Sequence, residues 1–330
     1  MSLTHFPHGV SSFGVPLMGG GGMLPKMGGA GEVFFVDPAN GSDSNDGKTP
    51  ENALDTVSAA YAKTVDKRGD VVYLLNDGNT SGASRETASI TWAKDNTHLV
   101  GLCAPVGISQ RARITPVSGN TDLDAYTPMI TVSGHGNIFS NVQIAPWGSE
   151  DGKAARGVDV TGNRNFFYNC HIIGIVHANV GDEANACDLK ISGGEENLFK
   201  KCTFGTDTIA RSTTCASVEL VSAATRNIFE DCLFLSIDDA GDSLFVKVDG
   251  AGDIDRFVLF KNCTFINAVE STGTALTSAC NVNNAAGGLV MFHSCQMAGV
   301  TDIAAADNGN VWVDGVGGAA TGSLSIVATQ

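Results

Sequence analysis

The sequence predicts an all-β fold in which short parallel strands stack coil upon coil. Three observations carry this. A short apolar phrase recurs six times. Its copies fall about thirty residues apart. The segments between them are rich in Gly and Asn, with β-branched and apolar runs too short for helices of 3.6-residue period.

The phrase is Asn137-Ile-Phe-Ser-Asn-Val-Gln-Ile144, then Asn165-Phe-Phe-Tyr-Asn-Cys-His-Ile172, Asn197-Leu-Phe-Lys-Lys-Cys-Thr-Phe204 and Asn227-Ile-Phe-Glu-Asp-Cys-Leu-Phe234. Two looser copies follow, Val258-Leu-Phe-Lys-Asn-Cys-Thr-Phe265 and Val290-Met-Phe-His-Ser-Cys-Gln-Met297. The phenylalanines Phe139, Phe167, Phe199, Phe229, Phe260 and Phe292 recur at nearly equal intervals. Parallel strands stacked in this way bring equivalent residues to about 4.8 Å, so identical residues form ladders. Cys170, Cys202, Cys232, Cys263 and Cys295 share one slot, which Val142 occupies in the first copy. A Val–Cys exchange marks a small buried position, so these cysteines are expected to pack, not to ligate metal. Asn141, Asn169, Asp231 and Asn262 stand just before that slot, where such side chains serve a bend. Phe139 and Val142 differ in strand parity, so the chain must turn a corner between them.

The elements before the repeat differ. Residues 1–31 hold nine Gly, three Pro, four Met and one charge, Lys26. Disordered segments are usually charged and poor in aromatics. This one carries Phe6, Pro7, Phe13, Val15, Leu17 and Met18, and reads as an extended docking arm with those residues as anchors. Residues 32–69 read as a cap: the strand Glu32-Val-Phe-Phe-Val-Asp-Pro38, an Asn/Asp/Gly loop to Gly47, then a helix. Thr49 would be its N-cap and Pro50 its first residue. Leu54, Val57, Tyr61 and Val65 would form its face, and it would end near Lys67-Arg68-Gly69. Asp70-Val-Val-Tyr-Leu-Leu75 is a buried strand and His98-Leu-Val-Gly-Leu102 an early coil. The coils are expected over 70–314, and 315–330, with Leu324 and Val327, is a capping tail.

On these residues, 70–300 resemble a right-handed parallel β-helix of the pectate-lyase-like superfamily. The opening Val36-Asp37-Pro38, Asn40-Gly-Ser-Asp43 and Asn45-Asp-Gly47, followed by a helix, is similar to the N-terminal cap of many such proteins. The six copies plus the earlier coils give an expectation of about eight coils, with an N-terminal capping helix and the extended Gly-rich arm ahead of it. The arm Phe6-Pro-His-Gly-Val-Ser-Ser-Phe-Gly-Val-Pro16 resembles the starts of tailed-bacteriophage virion proteins.

Composition narrows the function. Lys plus Arg number 20 against 35 Asp plus Glu, a net charge of −15 over 330 residues. That argues against a nucleic-acid binder, which needs a basic face, and against an anionic membrane surface. No apolar run reaches the ~20 residues of a membrane helix, and the opening residues lack a signal-peptide pattern, so synthesis in a host cytoplasm is expected. The nine cysteines are odd in number and contain no C-x-x-C pair, so they are expected to be reduced.

The motifs of chemistry are weak. Asp238-Asp239 and Asp249, Asp253, Asp255 are the nearest to acidic clusters and suit solvated turns. Asp37, Asp43 and Asp46 only loosely mimic a calcium loop. Gly134-His135-Gly136 precedes Asp238-Asp239, the reverse of the polygalacturonase order. His171, His177 and His293 read as satisfied histidines, and Trp92, Trp147 and Trp312 are few for a sugar groove. No enzyme activity, metal or cofactor is therefore expected. The resemblance implies a structural virion protein, a capsid decoration (cement) protein on the capsid outer surface. Its partners would be the major capsid protein and two further copies of itself in a homotrimer. The alternatives are a tailspike or fibre that recognises host glycan, and a polysaccharide lyase or hydrolase.

Overall fold

A computed structural model describes residues 11–12, 15–16, 31–76, 78, 82–269, 273–304 and 310–314. The expected anchors Phe6, Pro7, Phe13, Leu17 and Met18 lie outside the described residues, as does the tail 315–330. Ser11–Ser12 pairs antiparallel with Val15–Pro16.

Three parallel sheets of ten, eight and eight strands run the length of the molecule. Each rung contributes one strand to each sheet in turn. In one rung these are His98–Gly101 in the first sheet, Arg113–Pro116 in the second and Ile130–Val132 in the third. The next rung continues with Ile138–Ser140, Gln143–Ile144 and Arg156–Val160. Eight strands in the second and third sheets give about seven turns from the first rung to the last. The fold is therefore an all-β parallel solenoid with few helices.

The repeat phrase forms the first sheet, the corner and the second sheet. Register pairs Phe139 with Phe167, Phe199, Phe229, Phe260 and Phe292 in succession. These rings are buried and stack at 4.7, 4.7, 4.7, 4.6 and 5.2 Å between centroids. A second stack, Phe204, Phe234 and Phe265, packs edge-on against the first at 5.7 to 6.0 Å. The corner is a left-handed residue in every copy: Asn141, Asn169, Lys201, Asp231, Asn262 and Ser294 have φ between 49° and 57°. Asn and Asp tolerate that region best, which explains their majority there.

The cysteines occupy the slot after the corner. Cys170, Cys202, Cys232 and Cys263 are buried and Cys295 is partly so. Each thiol donates to the carbonyl of the ladder phenylalanine one coil earlier. The distances are 3.4 Å from Cys170 to Phe139, 3.4 Å from Cys202 to Phe167, 3.3 Å from Cys232 to Phe199, and 3.4 Å from Cys263 to Phe229 and from Cys295 to Phe260. The slot thus packs and also satisfies a backbone acceptor.

A further ladder precedes the first sheet. The side-chain oxygens of Asn137, Asn165, Asn197 and Asn227 accept from the backbone N–H of Thr97, Asn137, Asn165 and Asn197 at 2.8, 2.9, 2.8 and 3.0 Å. It ties each turn into the first sheet to the coil beneath.

The helix expected over 49–67 is shorter. Pro50–Asn52 is a single 3-10 turn, Leu54 bridges to Val36, and α1 spans Val57–Lys63. The Thr56 side chain accepts from the Ala59 N–H at 3.2 Å, so the cap is Thr56 and not Thr49. The helix ends at Thr64, whose N–H returns to the Tyr61 carbonyl, so Val65 is outside it. Leu54 is buried as expected, but from the bridge.

Candidate functional site

The third sheet carries a row of charged side chains on its outer face. Core residues Val158, Val160, Leu189, Ile191, Val218 and Leu220 point inward, so the residues between them point out. Register then aligns Asp159, Lys190, Glu219 and Lys247 on four successive rungs. Arg156 lies at the near end, and its Nε contacts both Asp159 oxygens at 2.9 and 3.1 Å. Lys190 pairs with Glu219 at 2.9 Å and Lys247 with Asp249 at 3.2 Å. Lys247 also donates to the Ala184 carbonyl at 2.8 Å, which pins the loop after α2 (Ala178–Gly181) beside the row.

Burial decides the chemistry of this row. It pushes the Asp159 carboxyl above the usual aspartate range, against the lowering pull of Arg156. Cys187, aligned with Arg156, lies beside Glu219 at 4.0 Å. Burial and the nearby carboxylates push its thiol up, so it is not a nucleophile at neutral pH. Asp159 and Glu219 stand two rungs apart, about 10 Å along the stack. The row therefore combines a carboxyl that burial pushes up with flanking cations and a second carboxylate, which is the material of acid–base work on an anionic chain.

The residues singled out in the sequence have other places. Asp238 is buried and accepts the backbone N–H groups of Ala240 and Ser243 at 2.9 and 3.0 Å, and that of Gly241. Asp253 accepts from Ser222 at 2.9 Å and Gly250 at 2.7 Å. Both hold turns, but Asp238 does so buried and not in the solvated turn expected, because its carboxylate is taken up by three backbone N–H groups. His171 is buried, with Nδ1 facing Ser109 N–H at 3.0 Å and Gln143 at 2.9 Å, and Nε2 on the Gly205 carbonyl at 2.9 Å. Trp92 is a core residue stacked on Tyr61 at 4.2 Å. No spacing in the sequence reveals the charged row. Its members precede the ladder phenylalanines Phe167, Phe199, Phe229 and Phe260 by an offset that grows from rung to rung. Turns of varying length between the third and first sheets break the period that makes the other ladders visible.

No family model and no curated protein matches the chain. Solved structures do match. Pectate lyase Pel9A is 17% identical with a TM-score of 0.59, covering 86% of this chain and 68% of that one. The pectin methylesterase from Aspergillus niger is 13% identical with a TM-score of 0.55, covering 87% and 91%. Pectin methylesterase PemA from Erwinia chrysanthemi is 15% identical with a TM-score of 0.57, covering 85% and 87%.

The chain has the pectate-lyase-like right-handed parallel β-helix fold. At this identity the likeness concerns the fold alone. It also corrects one expectation. The weakness of the chemical motifs leads to no enzyme activity, yet the neighbours are pectin methylesterases and pectate and rhamnogalacturonan lyases, so activity is suggested rather than excluded. Among the described residues no helix is long and apolar enough to cross a membrane.

Proposed function

We propose that the chain is a structural virion protein of a tailed bacteriophage, a decoration (cement) protein on the capsid outer surface. The arm 1–31 anchors it on the major capsid protein, and three copies stand together as a homotrimer. The observation that carries this reading is the arm itself: a single charge, Lys26, with aromatic and aliphatic anchors between glycines, ahead of an acidic body. Phe6, Pro7, Phe13, Val15, Leu17 and Met18 fill apolar grooves between capsid subunits. The continuous ladders make the body a stiff prism. A protein that binds only the assembled shell stabilises it by mass action.

The test is co-sedimentation with assembled phage shells, full chain against a chain lacking residues 1–31. The full chain pellets with shells and raises their disruption temperature; the truncated chain stays folded and in the supernatant. Equal pelleting of both, or of neither, rejects the arm as the anchor.

The charged row and the enzymes that share the fold favour a second reading, activity on an acidic polysaccharide such as pectin. Asp159, whose carboxyl burial pushes up against the pull of Arg156, gives or takes the proton, while Arg156 and Lys190 receive the substrate's carboxylates. Release of methanol, unsaturated ends or reducing ends from pectin, lost in Asp159→Asn, supports it; no release by the folded chain rejects it.

A further inference from the structure

Residues 103–112 join the strands His98–Gly101 and Arg113–Pro116 without regular structure of their own. They do not stay within their rung. Core residues Ile114, Ile144, Ile172 and Phe204 point inward, so Arg113, Gln143, His171 and Thr203, aligned by register on four successive rungs, point out of the second sheet. The segment lies over this row. The Thr203 hydroxyl donates to the Gly107 carbonyl at 2.7 Å, Asn169 Nδ2 to the Pro105 carbonyl at 3.1 Å, and Gln110 Nε2 to the Asn169 carbonyl at 2.5 Å. The Ser109 N–H donates to His171 Nδ1 at 3.0 Å. Under this cover Gln143, His171 and Thr203 are each only 2% exposed. Farther along the same row, Leu233 and Thr264 are half-buried and Gln296 is exposed. The segment is therefore a strap across three rungs. Polar contacts hold it more than packing does, since Val106 and Ile108 face solvent. Such a segment opens without unfolding the coils beneath it.

His171 is where the strap meets a group that titrates near neutrality. Its Nε2 faces the Gly205 carbonyl at 2.9 Å, so the ring proton sits there and Nδ1 is an acceptor. Nδ1 takes the Ser109 N–H and the Gln143 Nε2 at 2.9 Å. A second proton on the ring can go only to Nδ1, where it turns the acceptor into a donor. The Ser109 N–H then faces a donor and has no way to reverse. Gln143 has one: its Oε1 is buried without a partner, and a half-turn of the amide brings that oxygen to the new N–H. The protonated ring thus keeps its bond within the sheet and loses its bond to the strap. Ser109 also stands at φ 57°, a left-handed conformation that strains a serine and that release relaxes. Burial is the main pressure against the second proton; the Gly205 carbonyl, Asp188 and Asp207 favour it, and Arg113 opposes it. The strand Gln143–Ile144 brings no charge, and the strap carries only Arg111 and Cys103 as titratable side chains.

We infer that residues 103–112 are a pH-released strap, latched by neutral His171, that opens when the ring is protonated and uncovers the second sheet at Gln143, His171 and Thr203. The closed state binds the proton more weakly than the open one, in which the ring regains water. The latch is therefore complete above the open ring's ordinary value near 6.5 and is lost as pH falls through the lowered closed-state value. The device depends neither on the arm nor on the third-sheet row.

Amide-exchange mass spectrometry of the full chain, from about pH 7.5 to about pH 5, reads the strap directly. Rates are divided by those of unstructured peptides of the same sequence at each pH. Protection over 103–112 falls roughly tenfold or more across that range, while the ladder peptide 197–204 keeps its protection. His171→Gln retains an acceptor that does not titrate, so its strap profile is flat with pH at whatever level it lies. His98→Gln leaves the fall unchanged. Ring titration of His171 by NMR in the parent gives a reading that needs no variant: its midpoint and the midpoint of strap opening coincide. The inference is overturned if the parent strap keeps its protection at about pH 5, or loses it only together with the ladder. It is equally overturned if the fall persists in His171→Gln, if it vanishes in His98→Gln, or if the two midpoints differ.

Discussion

Replacing Phe199 by Ala removes the middle of the longest aromatic stack. The ring is fully buried and has two stacked neighbours, Phe167 and Phe229, each at 4.7 Å, and an edge contact with Phe204 at 6.0 Å. A buried Phe→Ala change costs about 3–5 kcal/mol in transfer and cavity terms. Neighbouring rings are held by strand register on both sides, so the cavity cannot collapse, which places the loss near the upper end, about 4–5 kcal/mol. At an unfolding entropy of about 2.1 cal/mol/K per residue, a chain of 330 residues shifts by about 1.4 °C per kcal/mol, so the midpoint falls by roughly 6–7 °C. Phe292→Ala is the internal control. Phe292 has a single stacked neighbour, Phe260 at 5.2 Å, and lies in the penultimate strand of the first sheet, so its loss should be about half. Repeat stacks are stabilised by nearest-neighbour interfaces, so amide exchange should accelerate most in the rungs of Phe167 to Phe229. Denaturant unfolding with exchange mass spectrometry reads both quantities. A Phe199→Ala loss of only about 1 kcal/mol, the ordinary value for any point substitution, would refute the reasoning that the ladder acts as a coupled core. So would a larger loss for Phe292→Ala than for Phe199→Ala.

Three further outcomes follow from the geometry. Cys232→Val should change stability by less than about 1.5 kcal/mol, because Val142 already fills the slot in an earlier coil; a loss above about 3 kcal/mol in urea unfolding would mean the thiol bond to Phe199 matters more than the volume. Arg211 and Asp188 are both fully buried and paired at 2.8 Å. Asp188→Ala, which strands the guanidinium, should therefore cost about 3–5 kcal/mol, and Asp188→Leu with Arg211→Met should recover much of it; an equal loss in the double variant would contradict this. Burial pushes His98 down to about 4, and its Nδ1 accepts the Ile138 N–H at 3.2 Å, so the native state disfavours the protonated ring. That stability is complete above the unfolded value near 6.5 and is lost as pH falls toward about 4, up to about 3 kcal/mol; His98→Gln should flatten this part of the urea-midpoint profile, and an unchanged slope would contradict the assignment.

The parts of the fold that repeat at one residue type are legible in the sequence. Phe and Cys ladders announce themselves because each slot tolerates few side chains, and the corner announces itself because a left-handed residue favours Asn. What differs between rungs is not legible. The row Asp159, Lys190, Glu219 and Lys247 changes residue at every step and drifts against the phenylalanines. The strap over the second sheet ties Pro105, Gly107 and Ser109 to Asn169, Thr203 and His171 of other rungs, which no local spacing encodes. Thr49-Pro50-Glu51 has the chemistry of a helix start, so sequence alone places the helix too early; the demand that Leu54 bridge to Val36 ends that start after one 3-10 turn. Function is the least legible, because the arm and the body make separate arguments: the shell reading proposed above rests on the arm's composition, while the body shares its fold with pectin-processing enzymes.

The most direct measurement is a cryo-electron microscopy reconstruction of phage shells incubated with the full chain. The account predicts threefold-related prisms standing outward, with density for residues 1–31 running from each prism base into grooves of the major capsid protein. Shells without added density, or prisms attached through a face of the solenoid with no arm density in the shell, would contradict it.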